Sequence, residues 1–152
     1  MNYSSAIWAT GVEKEALETA QLRKIHNIIS KAGIKSSHHV LDIGCGWGSL
    51  AMEAVKLSGC RVTGLTLSAE QKTLAEKRIK EAGLSENIEI LLCDYRKAPT
   101  PPGGYDRIVS VEMIEHVGRA HMNIFFEEID KRLNKDHGLM VVQGITSTNI
   151  VR

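Results

Sequence analysis

The sequence predicts an α/β fold: a doubly wound, mostly parallel sheet of about five strands with helices on both faces. Short apolar runs, typical of buried strands, alternate along the chain with longer segments of helical periodicity. A glycine-rich turn, Gly44-Cys45-Gly46-Trp47-Gly48, directly follows the first of these runs and precedes a helical segment. Strands that alternate with helices are joined by right-handed crossovers, which produce parallel strand pairing.

Periodicity, turn residues and capping patterns define the individual elements. Apolar positions on one face, ending before Gly33, indicate an amphipathic first helix. Ser68, with Gln71 three residues later, forms a capping-box pattern that marks the start of another helix. We therefore predict helices at 13–32, 49–58, 68–83 and 121–134, and strands at 40–43, 61–66, 88–93, 105–111 and 138–145.

The composition is that of one domain with little net charge. The chain has 152 residues, and 19 basic against 18 acidic side chains give a formal net charge of +1. Nucleic-acid-binding domains usually carry a concentrated basic face, so this balance does not favour nucleic acid as a partner. We predict a single domain, 1–152, with an N-terminal lid segment and helix at 1–33 and an α/β core at 38–146.

Cysteine usage and hydropathy favour a cytoplasmic protein. Cys45, Cys60 and Cys93 lie far apart and form no C-x-x-C pair, which is typical of reduced thiols. No apolar run approaches the roughly 20 residues that cross a bilayer, so we expect any membrane contact to be peripheral. His116 and His121 lack the spacing of metal ligands, and we predict no metal site.

The turn after the first strand indicates a ligand site. Glycines let the backbone turn sharply and approach a ligand closely, and ligands of open α/β sheets bind beyond the carboxyl ends of the strands. The dinucleotide pattern G-x-G-x-x-G is not met because position 49 is Ser49, and the second strand ends at 65–68 without an acidic residue. Preceded by Asp42, the turn fits a ligand whose amino-acid moiety lies against the loop, as in S-adenosylmethionine. Alternatively, the glycines serve only a tight strand–helix turn.

Three further residues are placed to bind the rest of such a ligand. Gln71, in the first turn of its helix, is within reach of a ribose hydroxyl. Asp94, at the end of the third strand, is placed to accept a hydrogen bond from an adenine amino group, with Tyr95 covering the ring. The alternatives are that Gln71 is a solvated cap residue and that the Asp94 carboxylate caps its own loop.

Ordered motifs cover nearly the whole chain. These segments are Tyr3-Ser4-Ser5-Ala6, VLDIGCGWGSLA at 40–51, Gly64 to Ser68 with Glu70-Gln71, Asp94-Tyr95-Arg96, YDRIVSVEMIEHVG at 105–118, and the helix around Phe125-Phe126. Over these segments the chain resembles the cyclopropane fatty acid synthases, including the mycolic acid cyclopropane synthases and their plant and fungal relatives. The resemblance implies the Rossmann-like fold of class I methyltransferases without its last two strands.

The resemblance implies an S-adenosylmethionine-dependent methyltransferase that releases S-adenosylhomocysteine. Its implied acceptor is a cis double bond in a lipid acyl chain, and a bicarbonate ion is implied as the group that takes the departing proton. The residues implied in cofactor binding are Tyr3, Ser4, the turn from Val40 to Gly48 (with Asp42, Gly44, Cys45, Gly46, Trp47 and Gly48), Thr66, Leu67, Gln71, Asp94 and Tyr95.

The implied catalytic residues surround the bicarbonate ion. Glu115 is the implied bicarbonate ligand, and Glu112 is the competing candidate. Ser5 stands where the family usually has cysteine, and Gln143 stands near a position where many bacterial members have histidine. Glu115 alternatively caps the helix that follows it, and we interpret His116 as structural.

Other acceptors and associations are also compatible with these motifs. Sphingolipid C-methyltransferases and amine N-methyltransferases resemble the chain around the glycine turn and Glu115-His116, and a cofactor-binding module without turnover is a further alternative. The fifth strand is expected at an exposed sheet edge, which predicts self-association through the region after Gly138. The segment from Tyr3 to Trp8 and the first helix either form a lid that touches a bilayer or pack on the sheet.

Overall fold

In the computed structural model, the described residues are 4–11 and 14–145. They form a five-stranded sheet in the order β3-β2-β1-β4-β5, and every neighbouring pair is parallel. The predicted α/β fold is therefore confirmed. The strands are β1 (His39–Ile43), β2 (Arg61–Thr66), β3 (Ile88–Leu92), β4 (Arg107–Val111) and β5 (Leu139–Gln143), and the helices are α1 (Leu17–Ala32), α2 (Ser49–Ser58), α3 (Ala69–Glu81) and α4 (Met122–Arg132).

Helices cover both faces of the sheet because successive strand residues point to opposite sides. Val40 and Val109 belong to the core under α1, α2 and α3, whereas Leu41 and Ile108 belong to the core under α4. Phe125 of α4 is completely buried in this second core. The apolar runs that predicted the strands thus supply both cores at once, as expected for a parallel sheet.

The strand order places a topological switch point at the centre of the sheet. The chain moves from β1 to β2 and β3 in one direction and then returns to β4 and β5 on the other side of β1. The connections that leave β1 and β4 therefore diverge beyond the carboxyl ends of these strands, where open α/β sheets bind ligands. Asp42 of β1 lies in register between Gly64 of β2 and Val109 of β4.

Several predicted boundaries are wrong by a few residues. The first helix begins at Leu17 because Ala16 is extended, with ψ of 138°. The strand predicted from 105 begins at Arg107, since Tyr105 makes only an isolated bridge to Leu133 and its hydroxyl donates to the carbonyl of Pro99. The remaining differences are helix 121–134 observed at Met122–Arg132, helix 68–83 observed at Ala69–Glu81, and strands 40–43, 88–93 and 138–145 observed at His39–Ile43, Ile88–Leu92 and Leu139–Gln143.

The N-terminal helix packs on the sheet and does not stand apart from it. α1 contacts β4, β5 and α2, and it buries Ile25, Ile28 and Ile29 in the first core. β5 forms one edge of the sheet, and self-association through that edge stays a prediction. None of the helices in the described part of the chain is long and apolar enough to cross a membrane.

Candidate active site

The turn between β1 and α2 is built from three glycines in left-handed conformations. Gly44, Gly46 and Gly48 have φ angles of 82°, 54° and 77°, which residues other than glycine rarely adopt. The turn is fixed to β2, because the amides of Gly44 and Cys45 both donate to the carbonyl of Leu65, at 3.0 and 2.9 Å. A Cβ atom added to Gly46 would meet nothing within 4 Å, so this residue faces open space.

This open space belongs to a cavity of about 550 Å³ at the carboxyl ends of β1 and β4. A volume of this size is typical of small-molecule sites. Ile25, Ile28 and Leu50 form apolar parts of its wall. Polar and charged residues also line it, among them Ser4, Lys24, Asp42, Gln71, Glu112 and Glu115.

Asp42 is a buried carboxyl group with an unused oxygen. The residue is only 2% exposed, and its Oδ2 has no hydrogen-bond partner within the described residues. Desolvation by burial raises the pKa of Asp42 to about 7. Buried polar atoms are nearly always hydrogen-bonded, so a buried oxygen beside a cavity is placed to accept from a ligand donor.

Gln71 is held in the cavity wall by two residues at the end of β2. The amide of Gln71 donates to Ser68 Oγ at 3.1 Å, which is the cap that the sequence predicts at the start of α3. Thr66 Oγ1 donates to Gln71 Oε1 at 2.6 Å and thereby fixes the orientation of the side-chain amide. Thr66 thus contacts Gln71 without lining the cavity itself, and Leu67 is 77% exposed and does not line it either.

Asp94 and Tyr95 do not line the cavity. Both carboxylate oxygens of Asp94 accept from the Arg96 side chain, at 2.9 and 2.6 Å, and Oδ1 also accepts from the Arg96 amide. This pairing lowers the pKa of Asp94. Tyr95 packs edge-on against Phe125, with ring centroids 5.3 Å apart. The structure therefore places Asp94 in the alternative role of a loop cap, and its adenine contact stays a prediction.

The N-terminal segment reaches the cavity through Ser4, while Tyr3 lies outside the described residues. Gln21 of α1 donates to the Ser4 carbonyl at 2.6 Å, and the Lys24 ammonium donates to Ser4 Oγ. Lys24 is only 2% exposed, and burial lowers its pKa while the charge of Glu112 opposes that effect. Our sequence prediction missed Gln21 and Lys24, although two polar residues on the same face as Ile25 were a usable signal.

The two remaining predicted catalytic residues meet at Glu112 and not at Glu115. Glu112 Oε1 accepts from the Ser5 amide at 3.0 Å, from Ser5 Oγ at 2.7 Å and from Gln143 Nε2 at 2.9 Å. Glu115 instead accepts a hydrogen bond from the Ile145 amide. Ser5 and Gln143 thus contact the competing candidate, Glu112, and the catalytic role of Glu115 stays a prediction.

The comparison with known proteins decides the family. The family profile of mycolic acid cyclopropane synthetase matches residues 1–151. The chain belongs to this family. Mycolic acid cyclopropane synthase CmaA1, complexed with SAH and CTAB, has a similar fold, with a TM-score of 0.82 and 30% identity over 93% of this chain and 47% of that chain. The resemblance and the class I methyltransferase fold predicted from the sequence are thereby confirmed.

Two curated relatives in this family are named for different lipid acceptors. The chain is 41% identical over 137 residues to sphingolipid C9-methyltransferase A of Emericella nidulans, covering 90% of this chain and 26% of that protein. It is 40% identical over 147 residues to cyclopropane-fatty-acyl-phospholipid synthase of Escherichia coli K12, covering 97% of this chain and 36% of that protein. The chain thus spans between about a quarter and just over a third of the length of these relatives.

Proposed function

We propose that the chain binds S-adenosylmethionine beside the glycine turn and serves methyl transfer to a carbon–carbon double bond of a lipid chain. The observation that carries this proposal is that one cavity holds both the glycine turn and two carboxylates, Glu112 and Glu115. S-adenosylmethionine supplies a methyl group on a positively charged sulfur, which an electron-rich group attacks.

The residues around the turn fit the polar parts of S-adenosylmethionine. The unused Oδ2 of Asp42 complements the ammonium group of the methionine part. Gly46 leaves the space that a close backbone approach to the ligand needs. The amide of Gln71, fixed by Thr66, is placed to bind a ribose hydroxyl.

The apolar part of the cavity wall fits an alkene acceptor. Ile25, Ile28 and Val111 give the wall apolar surface against which a hydrocarbon chain packs. Methylation of an alkene leaves positive charge on the acceptor carbon. The carboxylates of Glu112 and Glu115 lie in the same cavity and stabilise such a charge electrostatically.

The acceptor that we propose is a cis double bond of a lipid acyl chain at a membrane surface. Relatives named for a sphingolipid and for a fatty-acyl-phospholipid support a lipid as the acceptor. Ile7 and Trp8 of the N-terminal segment are exposed, and the Trp8 side chain is 54% accessible. Exposed aromatic and aliphatic residues close to a lipid site favour peripheral membrane contact.

Calorimetric titration with S-adenosylhomocysteine tests the cofactor site with a matched pair of variants. Gly46→Ala and Gly83→Ala both introduce a Cβ at a positive φ in open space, but only Gly46 lines the cavity. We expect Gly46→Ala to weaken binding at least tenfold and Gly83→Ala to bind like the wild type. Equal affinities in all three proteins would contradict the assignment of the site.

Mass spectrometry of lipids then tests the acceptor. The chain is incubated with S-adenosylmethionine and vesicles of a cis-unsaturated phospholipid, and in parallel with an unsaturated ceramide. We expect a gain of one CH2 in the acyl chain of the phospholipid. A gain only in the ceramide would transfer the proposal to sphingolipid methylation, and binding without any gain in either lipid would reject turnover by this chain.

A further inference from the structure

The two hydrogen-bond donors implied for the bicarbonate site are already engaged. The Ser5 amide and the Gln143 side-chain amide both donate to the Glu112 carboxylate, at 3.0 and 2.9 Å. The Ser5 hydroxyl adds a third hydrogen bond at 2.7 Å. These donors come from segments separated from Glu112 by 107 and 31 residues, so the fold as a whole assembles the cluster.

A bicarbonate ion does not fit this arrangement. The ion would need the same N–H groups, and it would stand against the negative charge of Glu112 in a partly buried place. Glu115, the implied bicarbonate ligand, has its Oε1 on the Ile145 amide. The donors of this chain therefore hold a carboxylate that is part of the chain itself.

The backbone of Glu112 also marks this position as unusual. Glu112 is the one non-glycine residue with positive φ in the described part of the chain, at 49°. Such a conformation is unfavourable for a residue with a side chain and persists where surrounding interactions enforce it. Here three donor groups hold the carboxylate, and the charge of Glu112 acts on the ammonium of Lys24.

We propose that the Glu112 carboxylate takes the place of bicarbonate and acts as the proton acceptor of the reaction. A carboxylate offers the same planar O–C–O geometry and negative charge as bicarbonate. Glu112 lines the cavity that holds the glycine turn, which is the space in which we propose that the acceptor is methylated. This inference rests on the proposed function for its chemistry. The hydrogen bonds that Ser5 and Gln143 donate to Glu112 do not depend on that function.

The proton step is balanced with Glu112 as the base. The π electrons of the alkene form the new carbon–carbon bond to the methyl group while the carbon–sulfur bond of S-adenosylmethionine breaks. The electron pair of the broken bond stays on the sulfur of S-adenosylhomocysteine, and the second alkene carbon becomes cationic. A C–H bond of the added methyl group then breaks, and its electron pair closes the third bond of the ring. The proton passes to a Glu112 oxygen, and no further reactant is consumed.

Thermal denaturation with and without bicarbonate tests, without requiring turnover, whether Glu112 keeps bicarbonate from the hydrogen-bond donors of Ser5 and Gln143. Glu112→Gly frees the donors and relieves the positive φ, so this variant is expected to fold. Glu86→Gly is the matched control, since Glu86 is an exposed residue outside the cavity. The melting midpoint of each protein is measured in sodium bicarbonate and in sodium chloride at equal ionic strength.

We expect bicarbonate to leave the wild type and Glu86→Gly unchanged and to stabilise Glu112→Gly. At a concentration of about ten times Kd, the midpoint of Glu112→Gly should rise by about 3–5 °C. Equal stabilisation of the wild type would overturn the proposal, because bicarbonate would then bind with Glu112 in place. No stabilisation of any variant would also overturn it, because the freed donors would then not be an anion site.

Turnover measured in buffer freed of carbon dioxide shows whether Glu112 accepts the proton or only stabilises the structure around it. The wild type should not respond to added bicarbonate, whereas Glu112→Gly should lose about a hundredfold or more in rate and recover part of it with bicarbonate. If Glu112→Gly stays inactive in bicarbonate, Glu112 only holds Ser5 and Gln143 in place and is not the proton acceptor. Failure of the proposed function would appear differently, as absence of product in the wild type while the melting midpoints still report the occupancy.

Discussion

Replacement of Asp42 by asparagine should change how the stability of the protein depends on pH. Burial raises the pKa of Asp42 from its ordinary value of 3.8 to about 7, so the folded protein binds this proton more tightly than the unfolded chain does. The group therefore contributes less stability as pH rises between these two values. Integrated from about pH 5 to about pH 8, the loss in free energy of unfolding is about 2.5 kcal/mol. The asparagine side chain cannot ionise, so the variant avoids this loss.

Urea denaturation at a series of pH values measures this effect. The free energy of unfolding of the wild type minus that of Asp42→Asn should fall as pH rises, because only the wild type ionises at this position. Taking the difference between the two proteins cancels the contributions of the other titrating groups. Saturation with S-adenosylhomocysteine should reduce this fall, since its ammonium donates to the unused Oδ2 and favours the ionised carboxyl. A difference that stays constant across the pH range would refute the burial of an unpaired carboxyl group at this position.

Two further stability predictions concern the elements that position the site. Ser68→Ala removes the cap of α3 and should lower the free energy of unfolding by about 1 kcal/mol in urea denaturation; no loss would show that the cap does not hold the helix start. Arg132→Met should cost about 3 kcal/mol, because the buried guanidinium donates to the carbonyls of Ala98 and Arg96. Lys131→Met, its exposed neighbour, should cost under about 1 kcal/mol, and equal losses would contradict the role of burial.

The fold and the glycine turn could be predicted from the sequence because both depend on local patterns. Each of the five predicted strands exists, since a buried parallel strand shows as a short apolar run whatever its neighbours are. The alternate glycines at 44, 46 and 48 predicted a turn that needs positive φ, and all three adopt it. Ser68 caps α3 as predicted, because capping requires only residues close in sequence.

The carboxylate cluster could not be predicted in the same way. Glu112 and Glu115 are both acidic residues after one strand, and the sequence alone does not say which of them Ser5 and Gln143 contact. That choice depends on the positive φ of Glu112, which turns its side chain towards the N-terminal segment and β5. Asp94 shows a different limit, because its pairing with Arg96 is local and competes with the ligand contact that its position suggested.

Mapping of S-adenosylhomocysteine binding by amide chemical shifts tests the central claim most directly. We predict that the amides from Asp42 to Gly48 and that of Gln71 shift on titration. We also predict that residues of the separate cavity between α1, α2 and α3, such as Met52 and Lys56, do not shift. Shifts confined to that second cavity, or no shifts at saturating ligand, would contradict the claim that the glycine turn holds the cofactor.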